Sequence, residues 1–187
     1  MLQNDTNRCF TIDARTPSAD IEIHIRCICM DAVAADPFTD KPHFDSLCRT
    51  GCPNYGKKWS CPPFAPSYRS LASPYRYLWV CVLCAETEQF SYIKNDFLKV
   101  KAANSILKSR LDKALRLLSD RYGNYISSGS CRLCKPCRCR SGLPCGHPDK
   151  MSCSFEALGM DVGRLTESCL DHEPRNRSQM QLGTAAS

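Results

Sequence analysis

The chain has 187 residues, of which 43% are hydrophobic and 24% are charged, and it carries a net charge of +6 and 15 cysteines. These fractions are those of an ordinary globular protein, no apolar run approaches the roughly 18–20 residues that a membrane-spanning helix needs, and the first residues lack the pattern of a signal peptide. We therefore expect a cytoplasmic protein without a membrane partner, in which clustered cysteines bind metal or carry out redox chemistry rather than form structural disulfides.

Two segments have the pattern of β-strands. Residues 21–29 alternate between one face carrying isoleucines with Cys27 and Cys29 and another face carrying polar side chains, which predicts a strand whose two thiols are packed in the core. Residues 77–85 form a continuous apolar run, which is typical of a central strand. Because residues three apart on a strand point to opposite faces, Cys81 and Cys84 are not expected to share one metal ion.

The rest of the chain is predicted to be mainly helical. Residues 95–122 have apolar side chains at three- and four-residue spacing, with Asn95 or Asp96 as the cap and Gly123 at the end. A short strand is expected near residues 125–128, and one or two short helices within 154–170. The polar residues 171–187 are predicted to be a disordered tail. Together these segments predict an α+β fold over residues 1–170, with a small β-sheet, one long covering helix and two cysteine-rich metal-binding loops in a single domain.

The second of these loops contains Cys131, Cys134 and Cys137 in a C-x2-C-x2-C pattern, followed by Cys145. Three cysteines at this spacing are typical of a loop that holds a [4Fe–4S] cluster. Zinc, the alternative, favours two separated C-x2-C pairs or mixtures of cysteine and histidine. We predict that these four cysteines bind an iron–sulfur cluster.

The first loop contains Cys48, Cys52 and Cys61 among glycines and prolines, a composition that predicts a constrained loop and favours metal binding over packing. The two loops supply seven cysteines, whereas two fully ligated [4Fe–4S] clusters need eight. Either another thiol (Cys139, Cys153 or Cys9) completes the set, or one cluster keeps an open iron, or a single cluster takes ligands from both loops. We expect the two loops to meet at one end of the sheet.

The motifs C-x3-CPNYG-x2-WSCPP, GSC-x2-C-x2-C, PC-x-HP and S-x-EALGMDV run from about Phe44 to Val162. They resemble those of an uncharacterised prokaryotic family of cysteine-rich predicted metal-binding proteins, whose members are typical of anaerobic organisms. The resemblance implies that a metal is bound but implies no reaction. The family pattern falls on the seven cysteines of the two loops and on Ser154, Glu156, Ala157, Gly159 and Asp161, and this chain adds further cysteines, notably Cys139 and Cys153.

Three functions are compatible with these residues. The leading hypothesis is an iron–sulfur protein with one or two [4Fe–4S] clusters that transfers electrons to a protein partner, since positive side chains around the cluster loop favour the reduced cluster and an acidic partner. The second is an iron–sulfur enzyme that binds substrate at an open iron, with Glu156 or Asp161 as acid–base group. The third is a zinc-stabilised structural or binding module; nucleic acid ranks last among partners, because the chain lacks interleaved aromatic residues.

Overall fold

The computed structural model describes residues 7–170 and 180–186. They form a five-stranded sheet in which every neighbouring pair is antiparallel, in the order β1-β2-β3-β5-β4. The strands are β1 (Asn7–Arg15), β2 (Asp20–Asp31), β3 (Tyr77–Cys84), β4 (Tyr125–Ile126) and β5 (Met180–Ala186). The α-helices are α1 (Lys41–Gly51), α2 (Tyr68–Ala72), α3 (Asp96–Tyr122) and α4 (Val162–Leu170), and the predicted α+β class is confirmed.

Strands β2 and β3 contribute buried side chains on both faces of the sheet. One face carries Ile21, Ile23 and Leu83, which pack with α3. The other face carries Ile28 and Met30 of β2 together with Leu78, Val80 and Val82 of β3, and these residues belong to a second core. The predicted strand over residues 21–29 is therefore confirmed, but its second face is not simply polar, since the register continues into Ile28 and Met30.

Helix α3 covers the first face along its full predicted length. Asn95 caps its start, where the side-chain oxygen accepts a hydrogen bond from the Leu98 amide at 3.1 Å, and Gly123 ends it with a φ of 116°. The buried side chains recur at four-residue spacing and are Ala103, Leu107, Leu111 and Leu115. The remaining faces of the helix expose most of its lysines and arginines, as the amphipathic pattern predicts.

The second core joins the sheet to the short helices around the cysteine-rich loops. Tyr68 of α2 is buried there, and its hydroxyl donates a hydrogen bond to the Ala32 carbonyl at 2.8 Å. Phe155, Leu158 and Met160 pack into the same core from the segment that precedes α4. This core therefore connects the segments before and after each cysteine loop.

Two predictions need correction. Cys48 lies in α1 rather than in a loop, because Asp40 caps this helix by accepting a hydrogen bond from the His43 amide at 3.0 Å and a proline occupies the first turn, where it is tolerated. Residues 180–186, predicted as part of a disordered tail, form β5 and pair with β3. Residues 171–179 and 187 lie outside the described residues.

No helix among the described residues is long and apolar enough to cross a membrane.

Candidate metal centre

The upstream cysteines lie at the end of α1 and in the turns that follow. Cys48 and Cys52 are four residues apart, and the Cys52 amide donates to the Cys48 carbonyl at 3.0 Å, so the last helical turn brings the two thiols to one side. Cys61 is buried, and its pKa is raised mainly by burial, with the neighbouring Cys52 and Cys48 adding to the effect. All three upstream thiols are therefore within electrostatic reach of one another.

The downstream cysteines surround a single small cavity. Its lining includes all four predicted ligands, Cys131, Cys134, Cys137 and Cys145. A β-carbon placed on Gly146 would lie 3.9 Å from the Cys134 sulfur, which shows how closely the chain after Cys145 approaches the first part of the loop. Since thiolates are the usual ligands of iron–sulfur clusters and of structural zinc, this donor set fits a metal centre.

Hydrogen bonds between side chains and backbone join the two loops. The Ser60 hydroxyl accepts a bond from the Cys131 amide at 3.1 Å, and the Trp59 indole donates to the Leu143 carbonyl at 3.0 Å. The Lys58 ammonium donates to both the Ser130 hydroxyl and the Cys131 carbonyl at 2.9 Å. The expectation that the loops meet is therefore confirmed, and three consecutive residues, Lys58, Trp59 and Ser60, make the contact.

The two additional cysteines lie between the loops. Cys153 is buried, and burial raises its pKa to about 12, with the charges of Cys61 and Cys131 contributing to the shift. It is thus near one predicted ligand from each loop. Cys139 is also buried and faces the upstream loop, where its sulfur lies 3.9 Å from the Gly56 carbonyl oxygen. Of the two, Cys153 is better placed to complete a ligand set shared by both groups.

The S-x-EALGMDV motif positions α1 and α4 beside these cysteines. Ser154 accepts a hydrogen bond from the Ala157 amide at 3.3 Å, and Asp161 accepts one from the Arg164 amide at 3.0 Å at the start of α4. The Gly159 carbonyl accepts from the Asp40 amide at 2.7 Å, which fixes the start of the helix that carries Cys48. Asp161 is therefore a helix cap, and most of the motif serves to hold the upstream group in place.

Glu156 differs from the other motif residues because its side chain is exposed. Burial is the largest cause of the raised pKa of Cys48, and Cys52, Asp45 and Glu156 add to it. Glu156 thus lies near the upstream thiols. Of the two acid–base candidates from the sequence, Glu156 is the one whose carboxylate is exposed beside the upstream cysteines.

Several residues of the site were not singled out as functional by the sequence. Trp59, Ser60 and Met151 line the same cavity as the four downstream cysteines, together with His147. Trp59 and Ser60 lie within the WSC segment of the family motif, so the motif contained the signal. Met151 carries no such signal, since only the tertiary fold brings it to the cavity.

Comparison with known proteins identifies a family. The family described as "Predicted metal-binding protein (DUF2284)" matches residues 32–183. No curated protein and no solved structure gives a significant match. The matched range includes both cysteine loops, the segment that joins them through the sheet and the S-x-EALGMDV motif.

Proposed function

This chain belongs to the family of predicted metal-binding proteins, and we propose that it carries one or two [4Fe–4S] clusters and transfers electrons to a protein partner. The observation that carries the proposal is the convergence of Cys131, Cys134, Cys137 and Cys145 on one cavity, at the spacing typical of cluster loops. A bound cluster supplies one-electron redox chemistry. The protein supplies the thiolates, the burial and the charges that set the potential.

The spacing of the downstream cysteines supports a cluster over a single zinc ion. Three cysteines in a C-x2-C-x2-C loop are typical of a [4Fe–4S] cluster. Structural zinc favours two separated C-x2-C pairs or mixtures of cysteine and histidine.

The second cysteine group supports either a second cluster or a shared one. Cys48, Cys52 and Cys61 supply three ligands, and Cys153 lies near Cys61 on one side and Cys131 on the other. With Cys153 as the fourth ligand, the upstream group would hold a complete cluster of its own. Without it, one iron would lack a protein thiolate, which is the arrangement that the enzyme alternative requires.

The surface beside the downstream loop is strongly positive. A cleft of about 760 Å³ lies between α3 and the start of the loop. Its lining contains five cations and one carboxylate, namely Lys101, Lys108, Lys113, Arg116, Arg132 and Asp112. Such a surface attracts an acidic partner and speeds its association at low ionic strength. We propose that an acidic redox protein docks here.

The first experiment is anaerobic purification, followed by an absorption spectrum and analysis of iron, sulfide and zinc. We expect a brown protein that absorbs near roughly 400 nm and contains about four or eight irons. Cys134→Ser should remove the downstream cluster, whereas Cys27→Ser, on β2 of the sheet, is the matched control and should keep the full iron content. A colourless protein with stoichiometric zinc after anaerobic reconstitution would overturn the proposal and support a zinc-stabilised module.

A second variant counts the clusters. If the upstream group holds its own cluster, Cys52→Ser should lower the iron content by half and leave the remaining spectrum unchanged. If one cluster takes ligands from both loops, the same variant should remove nearly all of the iron.

The docking surface is tested by oxidising the reduced protein with the anionic oxidant ferricyanide. The oxidation rate should fall with salt and with Lys101→Gln, but not with Lys94→Gln, which lies outside the cleft. A rate independent of both would contradict the docking surface.

The specific observation that favours an enzyme is the position of Glu156, which is exposed beside Cys48. An exposed carboxylate near an iron with an open position could exchange a proton with a bound substrate. Turnover of a small molecule that is lost in Glu156→Gln, with the iron content unchanged, would support this second function over electron transfer alone.

A further inference from the structure

Two cysteines outside the candidate metal centre face each other across neighbouring strands. Cys27 of β2 and Cys81 of β3 are directly paired in the antiparallel register. Their sulfur atoms lie 3.0 Å apart and share a hydrogen bond. The other cysteines of β1, β2 and β3 have no cysteine directly opposite: Cys9 pairs with Arg26, Cys29 with Trp79 and Cys84 with His24.

The backbone geometry of this pair matches that of a disulfide. Directly opposed residues in antiparallel strands have Cα atoms about 4.5–5.5 Å apart, whereas disulfides span Cα separations of about 4.4–6.8 Å. The sulfurs need to approach by only about 1 Å to reach the bonding distance of roughly 2.0 Å. Small side-chain rotations can supply this movement without changing the strand register.

The pair is also open to a small reagent. Helix α3 covers Ile21 and Ile23 at the beginning of β2, and both are fully buried. Further along the same face, Cys27 and Cys81 are each only half-buried, with Cys81 at the margin of the core that α3 covers. A low-molecular-weight disulfide can therefore approach the sulfur of Cys27 without unfolding the core.

We propose that Cys27 and Cys81 are a modification site that forms a reversible disulfide by exchange with a low-molecular-weight disulfide such as oxidised glutathione. The Cys27 thiolate attacks one sulfur of the oxidant, whose S–S bond breaks and releases the first small thiolate. The Cys81 sulfur then attacks Cys27 in this mixed disulfide and releases the second small thiolate. The two protons of the protein thiols pass to the released thiolates, so two electrons leave the protein pair and reduce one oxidant molecule to two thiols.

Either sulfur can donate the hydrogen bond that the pair shares. With Cys81 as the donor, the bond lowers the pKa of Cys27 and, together with burial, raises the pKa of Cys81. Cys27 therefore carries the larger thiolate fraction, and the thiolate is the attacking species. Cys81 lies within contact distance of the mixed disulfide and acts as the resolving thiol.

The disulfide would close a chain loop that contains the whole upstream cysteine group. Cys27 and Cys81 are 54 positions apart in sequence, and Cys48, Cys52 and Cys61 all lie between them. A crosslink across this loop restricts the unfolded chain. Oxidation of the pair should therefore make unfolding of the segment that carries the upstream ligands less favourable.

The test uses the purified full chain under anaerobic conditions, equilibrated with a series of ratios of reduced to oxidised glutathione. Free thiols are alkylated in denaturant, and tryptic peptides are analysed by tandem mass spectrometry. Fragment ions are needed to locate the crosslink, because the tryptic peptide with Cys27 also contains Cys29 and Cys48, and the one with Cys81 also contains Cys84. We expect a peptide that joins Cys27 to Cys81, lighter by two hydrogens than the sum of its parts, and its reversal by dithiothreitol. Cys29→Ser, on the same face of β2, is the matched control and should leave the crosslink unchanged.

Three results would overturn the proposal. In the first, Cys27 and Cys81 both remain alkylatable when oxidised glutathione is in large excess. In the second, Cys27 accumulates as a mixed disulfide with glutathione, which would show that Cys81 does not resolve it. In the third, Cys81 is joined to Cys29 or to a cysteine of the metal-binding loops. Since the crosslink is read from peptides, the outcome does not depend on whether the protein holds iron or zinc.

Discussion

Gly159→Ala should be among the most damaging single substitutions in this chain. Gly159 adopts a left-handed conformation with a φ of 87°. Its carbonyl accepts a hydrogen bond from the amide of Asp40, the residue that caps α1. A β-carbon at this position would lie 2.5 Å from the Cα atom of Lys41. Because that atom belongs to the backbone, no side-chain rotation can relieve the overlap, and α1 would have to move.

The cost has two parts. A left-handed conformation costs a residue other than glycine about 1–2 kcal/mol, and forced overpacking in a closely packed region costs about 1–3 kcal/mol. The free energy of unfolding should therefore fall by about 2–5 kcal/mol. Gly142 provides the matched control, since its φ is 67° and a β-carbon there would meet no atom within 4 Å. Gly142→Ala should carry only the conformational part, about 1–2 kcal/mol.

Urea unfolding of both variants and the wild type, at equal metal content, measures the difference. The Gly159 variant should also lose metal from the upstream group more readily, because α1 carries Cys48. Equal losses of stability in the two variants would refute the argument, since they would show that the contact with Lys41 adds nothing. An unchanged midpoint for Gly159→Ala would refute the conformational part as well.

Two further substitutions test individual hydrogen bonds. Ser60→Ala should lower the free energy of unfolding by about 0.5–1.5 kcal/mol and speed metal release to a chelator, because the half-buried Cys131 amide loses its acceptor. The exposed Ser73→Ala is the control, and equal release rates would contradict the role assigned to Ser60. Tyr68→Phe should cost about 1 kcal/mol at pH 8. Burial holds the pKa of Tyr68 above its ordinary value of 10.0, so the unfolded chain loses this proton first and wild-type stability falls as the pH rises above 10. The stability difference between wild type and Tyr68→Phe should therefore shrink between pH 9 and 11, and a constant difference would contradict the assigned shift.

The local periodicities of the sequence were enough to predict the main elements. The alternation in residues 21–29 and the apolar run in 77–85 correspond to β2 and β3, and the three- and four-residue spacing of 95–122 corresponds to α3 with Asn95 as its cap. These signals succeed because strand and helix periods are fixed by the backbone. Helix α1 was missed because it is short and no side chain of it is buried. Its last turn also falls in the cysteine segment whose glycines and prolines predict a loop.

The candidate site was predictable where its ligands are close in sequence. The grouping of Cys131, Cys134 and Cys137 follows from two-residue spacers in one loop, and their convergence on one cavity requires little beyond local geometry. The links from Lys58, Trp59 and Ser60 to the second loop were not predictable residue by residue, since they join positions more than 70 apart. The sequence indicated only that the two loops supply seven cysteines, one fewer than the eight ligands of two [4Fe–4S] clusters.

The sequence by itself determined the chemistry of this protein: fifteen thiols, seven of them at metal-binding spacings, on a chain whose periodicities specify a sheet and a long helix. The tertiary structure alone decided that both faces of β2 are covered, that Cys153 lies between the two cysteine groups, and that Cys27 faces Cys81. The physical reason is that spacing along the chain fixes only neighbours within one element. Which strands pair, and in which register, depends on burial of apolar surface between elements that are distant in sequence.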